Sequence, residues 1–107
     1  MTQTQKTRRE MLEEFVGANP GDAFGRYGLA MECARTGDHE AASAHFDELL
    51  TAHPDYVPGY FQYGQMLTSI GQTDRAREVL TRGIQAAQRK GDAHAAEEMQ
   101  AVLEGLG

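Results

Sequence analysis

Along this chain the large apolar residues recur three and four positions apart and never settle into strict alternation. Ala42, Phe46, Leu49 and Leu50 run i, i+4, i+7, i+8, and Ala76, Leu80, Gly83 and Ile84 repeat that spacing. Tyr60, Tyr63, Gly64 and Leu67 run i, i+3, i+4, i+7. Each set is one face of an amphipathic helix. The breaks between sets are short: "TGD" at 36–38, "HPDY" at 53–56, "IGQT" at 70–73 and "KGD" at 90–92, all turn-forming combinations. Gly37 and Gly91 are placed to take the left-handed conformation past a helix end, and Asp38 and Asp92 to cap the next helix by accepting from its free N–H groups. In "ANPGD", Pro20 stops one helix and Asp22 is placed to cap another. Six helices are predicted, over 5–18, 22–36, 38–52, 56–70, 73–89 and 92–105.

The pattern has a period of 34. Pro20 recurs as Pro54, Gly25 as Gly59, Gly37 as Gly71 and Ala42 as Ala76, while Phe46 is matched by Leu80 and Leu50 by Ile84. One period back, Leu12, Phe15 and Val16 underlie Phe46, Leu49 and Leu50. The first unit reads Arg26-x-x-Leu29-Ala30-x-x-Cys33, Ala42-x-x-x-Phe46 and Pro54; the second reads Tyr60-x-x-Tyr63-Gly64-x-x-Leu67 and Ala76-x-x-x-Leu80. This resembles the tetratricopeptide repeat family, with its W-x-x-L-G-x-x-Y, A-x-x-x-F and P pattern over 34 residues. The departures are Arg26 and Cys33 in place of aromatics and Gln88 in place of a third proline. Arg26 is expected to lay its aliphatic stem over the core and keep its charge in water. Without proline at 88, the fifth helix is free to run to Lys90.

The resemblance implies an all-α fold, a right-handed superhelical stack of antiparallel helix pairs in a single domain over 1–107. The parts are a half repeat at 5–20, full repeats at 23–56 and 57–90, and a capping helix at 91–107. In that last helix Ala95, Met99, Val102, Leu103 and Leu106 fall on one side, with Glu97, Glu98, Gln100 and Glu104 largely elsewhere, as a terminal cap requires.

Composition narrows the function classes. The chain's 107 residues fit one domain. Cys33, the single cysteine, excludes an intrachain disulfide and a paired-thiol metal framework, so a reducing compartment, the cytoplasm, is the expected location. Neither a secretory apolar region nor a membrane-spanning run is visible. A formal charge of -6 repels phosphate backbones and argues against nucleic acid. His39 and His45 lie six apart, about 240° round a helix, so they do not share a metal and are expected to face solvent. His53 sits at a helix end, where a cationic ring would suit the dipole, and His94 is spaced to meet Glu97 or Glu98. Cys33 lies on an inward stripe and is expected to be buried and inert. No catalytic constellation, metal site or cofactor motif emerges.

The resemblance further implies that the first helix of each pair lines a concave surface. That places Phe24, Tyr27, Met31 and Arg35 there, followed by Phe61, Gln62, Gln65, Thr68 and Ser69. The angles agree, since Phe61, Gln65 and Thr68 form a stripe about a third of a turn from the core stripe of Tyr60, Gly64 and Leu67. Aromatics and methionine on such a face suit an amphipathic helix or an extended peptide. One subset of the family grips acidic chaperone tails with lysine, arginine and asparagine. The corresponding positions here, Phe24, Tyr27, Gly28, Met31, Pro58, Phe61, Gln62 and Gln65, hold none of these, which argues against such a clamp. The expected function is a non-enzymatic adaptor for a protein or peptide partner, with no role at nucleic acid or membrane. The alternative is self-association as a homo-oligomer, driven by the uncovered flank of the half repeat, or a place within a larger repeat assembly.

Overall fold

A computed structural model describes residues 5–107; the reading of one domain from residue 1 extends over residues 1–4, outside the described part. The helices are α1 (Arg8–Ala18), α2 (Ala23–Arg35), α3 (His39–Ala52), α4 (Val57–Ser69), α5 (Thr73–Lys90) and α6 (Ala93–Gly105). The fold is all-α, and every boundary falls within three residues of its expected place. Their ends follow from local chemistry. Thr7 and Glu10 form a reciprocal capping box on α1. Asp38 accepts from the Ala41 N–H at 3.2 Å and Asp92 from the Ala95 N–H at 3.1 Å. Asp22 takes the N-cap position of α2 but makes no side-chain bond to it, contrary to expectation. Gly37, Gly71 and Gly91 reverse the chain at φ of 87°, 79° and 71°, the region open to glycine. With Gln88 in place of proline, α5 continues to Lys90.

The helices pair as α2 with α3 and α4 with α5, flanked by α1 and α6, in a body measuring 55 × 27 × 19 Å. Pairing depends on small residues. A Cβ added to Gly64 would collide with Leu80 of α5, and the equivalent positions one period earlier, Ala30 and Phe46, are fully buried. A second close approach joins successive units. Gly25 lies under the ring of Phe15 from α1, and 34 residues on Gly59 lies under Leu49 and Leu50 from α3. At Gly83 of α5 an added Cβ would stand 2.5 Å from Tyr60 Cβ and 2.5 Å from Met99 Sδ.

Polar groups tie the layers together. Tyr60 donates its hydroxyl to the Pro54 carbonyl at 2.7 Å. Tyr63 stacks on Phe46 at 5.0 Å and donates to Asp47 at 2.9 Å, while Arg75 reaches Asp47 at 2.6 Å. Cys33 is buried and burial raises its thiol pKa, which leaves it an inert packing residue. Arg26 departs from expectation. Its side chain is only 13% exposed, and the guanidinium pairs with Glu48 at 3.0 Å and meets His45 Nδ1 at 3.3 Å instead of lying in water. His45 is consequently part-buried, not solvent-facing, and burial together with Arg26 lowers its pKa.

Packing at the glycines makes a stability test. Gly83→Ala should lower unfolding free energy by about 1–3 kcal/mol, because the rigid Cβ of Tyr60 has no room to yield. Gly17→Ala, where nothing lies within 4 Å, should raise it by up to about 1 kcal/mol through helix propensity. Urea denaturation midpoints distinguish the two, and equal effects would refute the close-approach account.

Candidate binding groove

The stack is curved. Helix α2 packs closely on α4 and α4 on α6, whereas the backbones of α1, α3 and α5 stay apart and α3 meets α5 through the reach of Arg75 to Asp47. The first helices of the pairs therefore crowd the inner side. Two clefts open there. One, of about 520 Å³, is lined by Arg8, Phe24, Tyr27, Gly28, Met31, Glu32 and Arg35. The other, of about 370 Å³, lies between α2 and α4 and is lined by Met31, Ala34, Arg35, His39, Gln62, Gln65, Met66 and Ser69. Met31 and Arg35 belong to both, so the clefts are two reaches of one groove. Phe24, Tyr27, Met31 and Arg35 follow helical spacing along α2, as Gln62, Gln65, Met66 and Ser69 do along α4.

Seven of the nine residues expected on the concave face thus line this groove. Phe61 is half-buried against the core and Thr68 is half-buried with its hydroxyl bonded to the Gly64 carbonyl at 2.8 Å; neither lines the clefts. Phe24 is 72% exposed. Tyr27 packs on Tyr56 at 5.4 Å, and burial raises its pKa. Arg8, Glu32, His39 and Met66 were not anticipated. Met66 was visible as the i+4 partner of Gln62, but Arg8 and His39 reach the groove from α1 and α3, which spacing within one helix cannot reveal.

Glu32 is the one acid lining either cleft, and it is 5% exposed. Arg35 holds it with two bonds, at 3.0 and 2.6 Å, and Arg8 of α1 approaches to 3.5 Å. The bidentate Arg35 contact keeps the Glu32 carboxyl below its ordinary pKa. His39, expected in solvent, is part-buried at the groove wall, and its Nδ1 has no hydrogen-bond partner. The groove therefore offers apolar lining with amides, a hydroxyl and an arginine pair around one neutralised carboxylate.

Other sites offer less. A cleft of about 150 Å³ between the start of α2 and the end of α3 gathers Asp22, Arg26, Glu48 and His53. Its Glu48 is tied to Arg26, and His53, the C-cap of α3, turns its Nε2 to the Gly21 carbonyl at 3.2 Å. His94 pairs with Glu98 at 3.3 Å on the exposed side of α6. Among the described residues no cluster of three or more His, Cys, Asp or Glu could hold a metal ion, and no helix is long and apolar enough to cross a membrane.

The repeated close contacts, the period and the groove find their counterpart in a family profile described as tetratricopeptide repeat, which matches residues 34–101. The chain belongs to the tetratricopeptide repeat family. A tetratricopeptide repeat domain protein from Salinibacter ruber, solved by NMR, is 32% identical, with a TM-score of 0.76 over 81% of this chain and 88% of that one. A protein from Bordetella parapertussis is 26% identical, with a TM-score of 0.80 over 95% of this chain and 89% of that one. The TPR2B domain of yeast Sti1, in a complex with pHsp70, shares the fold at a TM-score of 0.84 over 92% of this chain and 78% of that one, with 17% identity. No curated protein matches the chain.

The Glu32 arrangement makes a pH test of this repeat domain. Its carboxyl titrates lower in the folded state than its ordinary value of 4.5, so its contribution is complete above that value and is lost as pH falls through the folded pKa. Glu32→Gln should therefore flatten the acid limb of stability, measured as denaturation midpoint between neutral and acid pH. An unchanged acid limb would show that the Arg35 contact contributes nothing.

Proposed function

We propose that this protein is a non-enzymatic adaptor that seats a peptide or short helix in the groove between α2 and α4. The observation that carries the reading is the continuity of the two clefts through Met31 and Arg35. A segment lying across the inner face can place apolar side chains against Phe24, Tyr27 and Met31. Its backbone can then bond to Gln62, Gln65 and Ser69, the combination of apolar pocket and few polar groups that peptide sites use. The unpartnered Nδ1 of His39 supplies a further polar anchor that a ligand would satisfy.

Family membership supports binding over catalysis, because this repeat is an interaction fold hosting many different partners. The yeast domain's complex with pHsp70 is a property of that protein. Here the positions expected to grip an acidic tail are Phe24, Tyr27, Gly28, Met31, Pro58, Phe61, Gln62 and Gln65, and they favour apolar and amide contacts instead. The free, buried thiol of Cys33 fits a reducing, cytoplasmic setting.

NMR titration of the labelled protein with a synthetic amphipathic helical peptide and with an extended apolar peptide tests this. Shifts should concentrate at Met31, Arg35, Gln62, Gln65 and Ser69, and Met31→Ala should weaken binding by roughly tenfold or more, as loss of a central anchor does. Shifts confined to α3 and α5 would overturn the groove assignment.

A further inference from the structure

The charges lining the groove do not cancel. Glu32 is the one acid there, and two arginines share its carboxylate. Arg35 takes both oxygens, through Nε at 3.0 Å and Nη2 at 2.6 Å, and Arg8 of α1 approaches Oε1 through Nε at 3.5 Å. The Glu32 side chain is 6% exposed, whereas those of Arg8 and Arg35 are 71% and 68% exposed. With histidine neutral, two cations against one anion leave a positive charge on the groove of a chain whose formal charge is -6. The other cations near the start of α1 are engaged elsewhere, Lys6 with Glu14 and Arg9 with Glu13 and Asp38.

On the reading that the groove seats a peptide, we infer that this peptide carries one carboxylate side chain, an Asp or Glu set among apolar residues, and places it against Arg8 and Arg35. The hydrogen bonds to Glu32 use Nε and Nη2 of Arg35, and a guanidinium has five N–H donors in all, so donors remain for a second carboxylate. Phe24, Tyr27 and Met31 line the same cleft as both arginines, so an apolar side chain and a nearby acid reach their partners together. One acid is the match, because it brings the two arginines and the two carboxylates to neutrality. A second acid would find no further lysine or arginine in either cleft and would be repelled by the net negative chain. A basic side chain would meet two cations whose carboxylate is already held. Arg8 and Arg35 also stand apart from the positions compared with the chaperone-tail clamp, none of which holds a cation.

Short peptides blocked at both ends provide the test, made as pools of Leu, Met, Phe, Ala and Ser around a central residue fixed as Glu, Gln, Lys or phosphoserine. On the full chain, the Glu pool should bind roughly threefold to tenfold more tightly than the Gln pool, as charge-assisted bonds at an exposed pair allow. It should move the side-chain N–H signals of Arg8 and Arg35 and lose its advantage in high salt. The Lys pool should bind most weakly. Arg8→Gln, which leaves Glu32 its Arg35 partner, should bring the Glu pool close to the Gln pool, Arg8→Lys should keep most of the preference, and Glu32→Gln, which releases Arg35, should widen it. Circular dichroism melts establish that each variant is folded. Equal binding of the Glu and Gln pools with shifts still in the groove would overturn the charge match and leave the groove reading standing. Tighter binding of the phosphoserine pool than of the Glu pool, or a Glu preference undiminished in folded Arg8→Gln, would also overturn the match. Binding by none of the pools, or shifts confined to α3 and α5, would overturn the groove reading and the match with it.

Discussion

The structure depends on how closely its helices can approach at a few positions without side chains. Gly64 against Leu80 sets the spacing within a pair, and Gly25 against Phe15, repeated as Gly59 against Leu49, sets the spacing between units. Volume is exchanged along the period at these joints. Where the first unit places Arg26 and Leu49, the second places Tyr60 and Gly83. The glycine gives room to an aromatic ring that the arginine position did not need, and Met99 of α6 closes the remaining space. Because interiors pack at crystal-like density, such compensated contacts fix the angle at which one pair sits on the next.

That angle creates the groove. With α2, α4 and α6 in succession on the inner side and the backbones of the second helices further apart on the outer side, the inner face is concave by geometry alone. Its chemistry follows from what the packing stripe leaves over. Helix α4 contains no charged residue, so one wall presents amides and hydroxyls, while α2 contributes Phe24, Tyr27 and Met31. The one acid there, Glu32, is buried with its charge met by Arg35 and Arg8. Neither cleft of the groove is thus lined by a free carboxylate.

The fold was legible because the period of 34 and the turn residues constrain the same boundaries twice. Gly37, Asp38, Gly91 and Asp92 mark helix ends whose bonds the structure contains. The groove was legible only in direction. Angles round a helix say which way a side chain points, and of the stripe Phe61, Gln65 and Thr68 only Gln65 lines a cleft, because they do not say how high the neighbouring wall stands. Phe61 points from the core stripe yet is half-buried against it. His39 and His45 were misjudged for the same reason: each meets a neighbouring helix, whose placement only the tertiary structure supplies.

The ends of a repeat array face a different constraint from its middle. An interior helix has a neighbour on each side, so its second apolar stripe is covered, as Leu49 is by α4. A terminal helix must replace that stripe with polar residues or leave it for a partner. Helix α6 follows the first course and is further tied back by Arg77, which bonds the Leu106 and Gly107 carbonyls at 3.3 and 2.6 Å. Helix α1 does not: its start is fixed by the Thr7–Glu10 box and its inner side by Leu12 and Val16 against the core, which holds Met11 outward. Met11 and Phe15 therefore stay exposed on a well-capped α1 because Leu12 and Val16 fix which face is turned to the core, whereas α6 presents the polar pattern of a finished end.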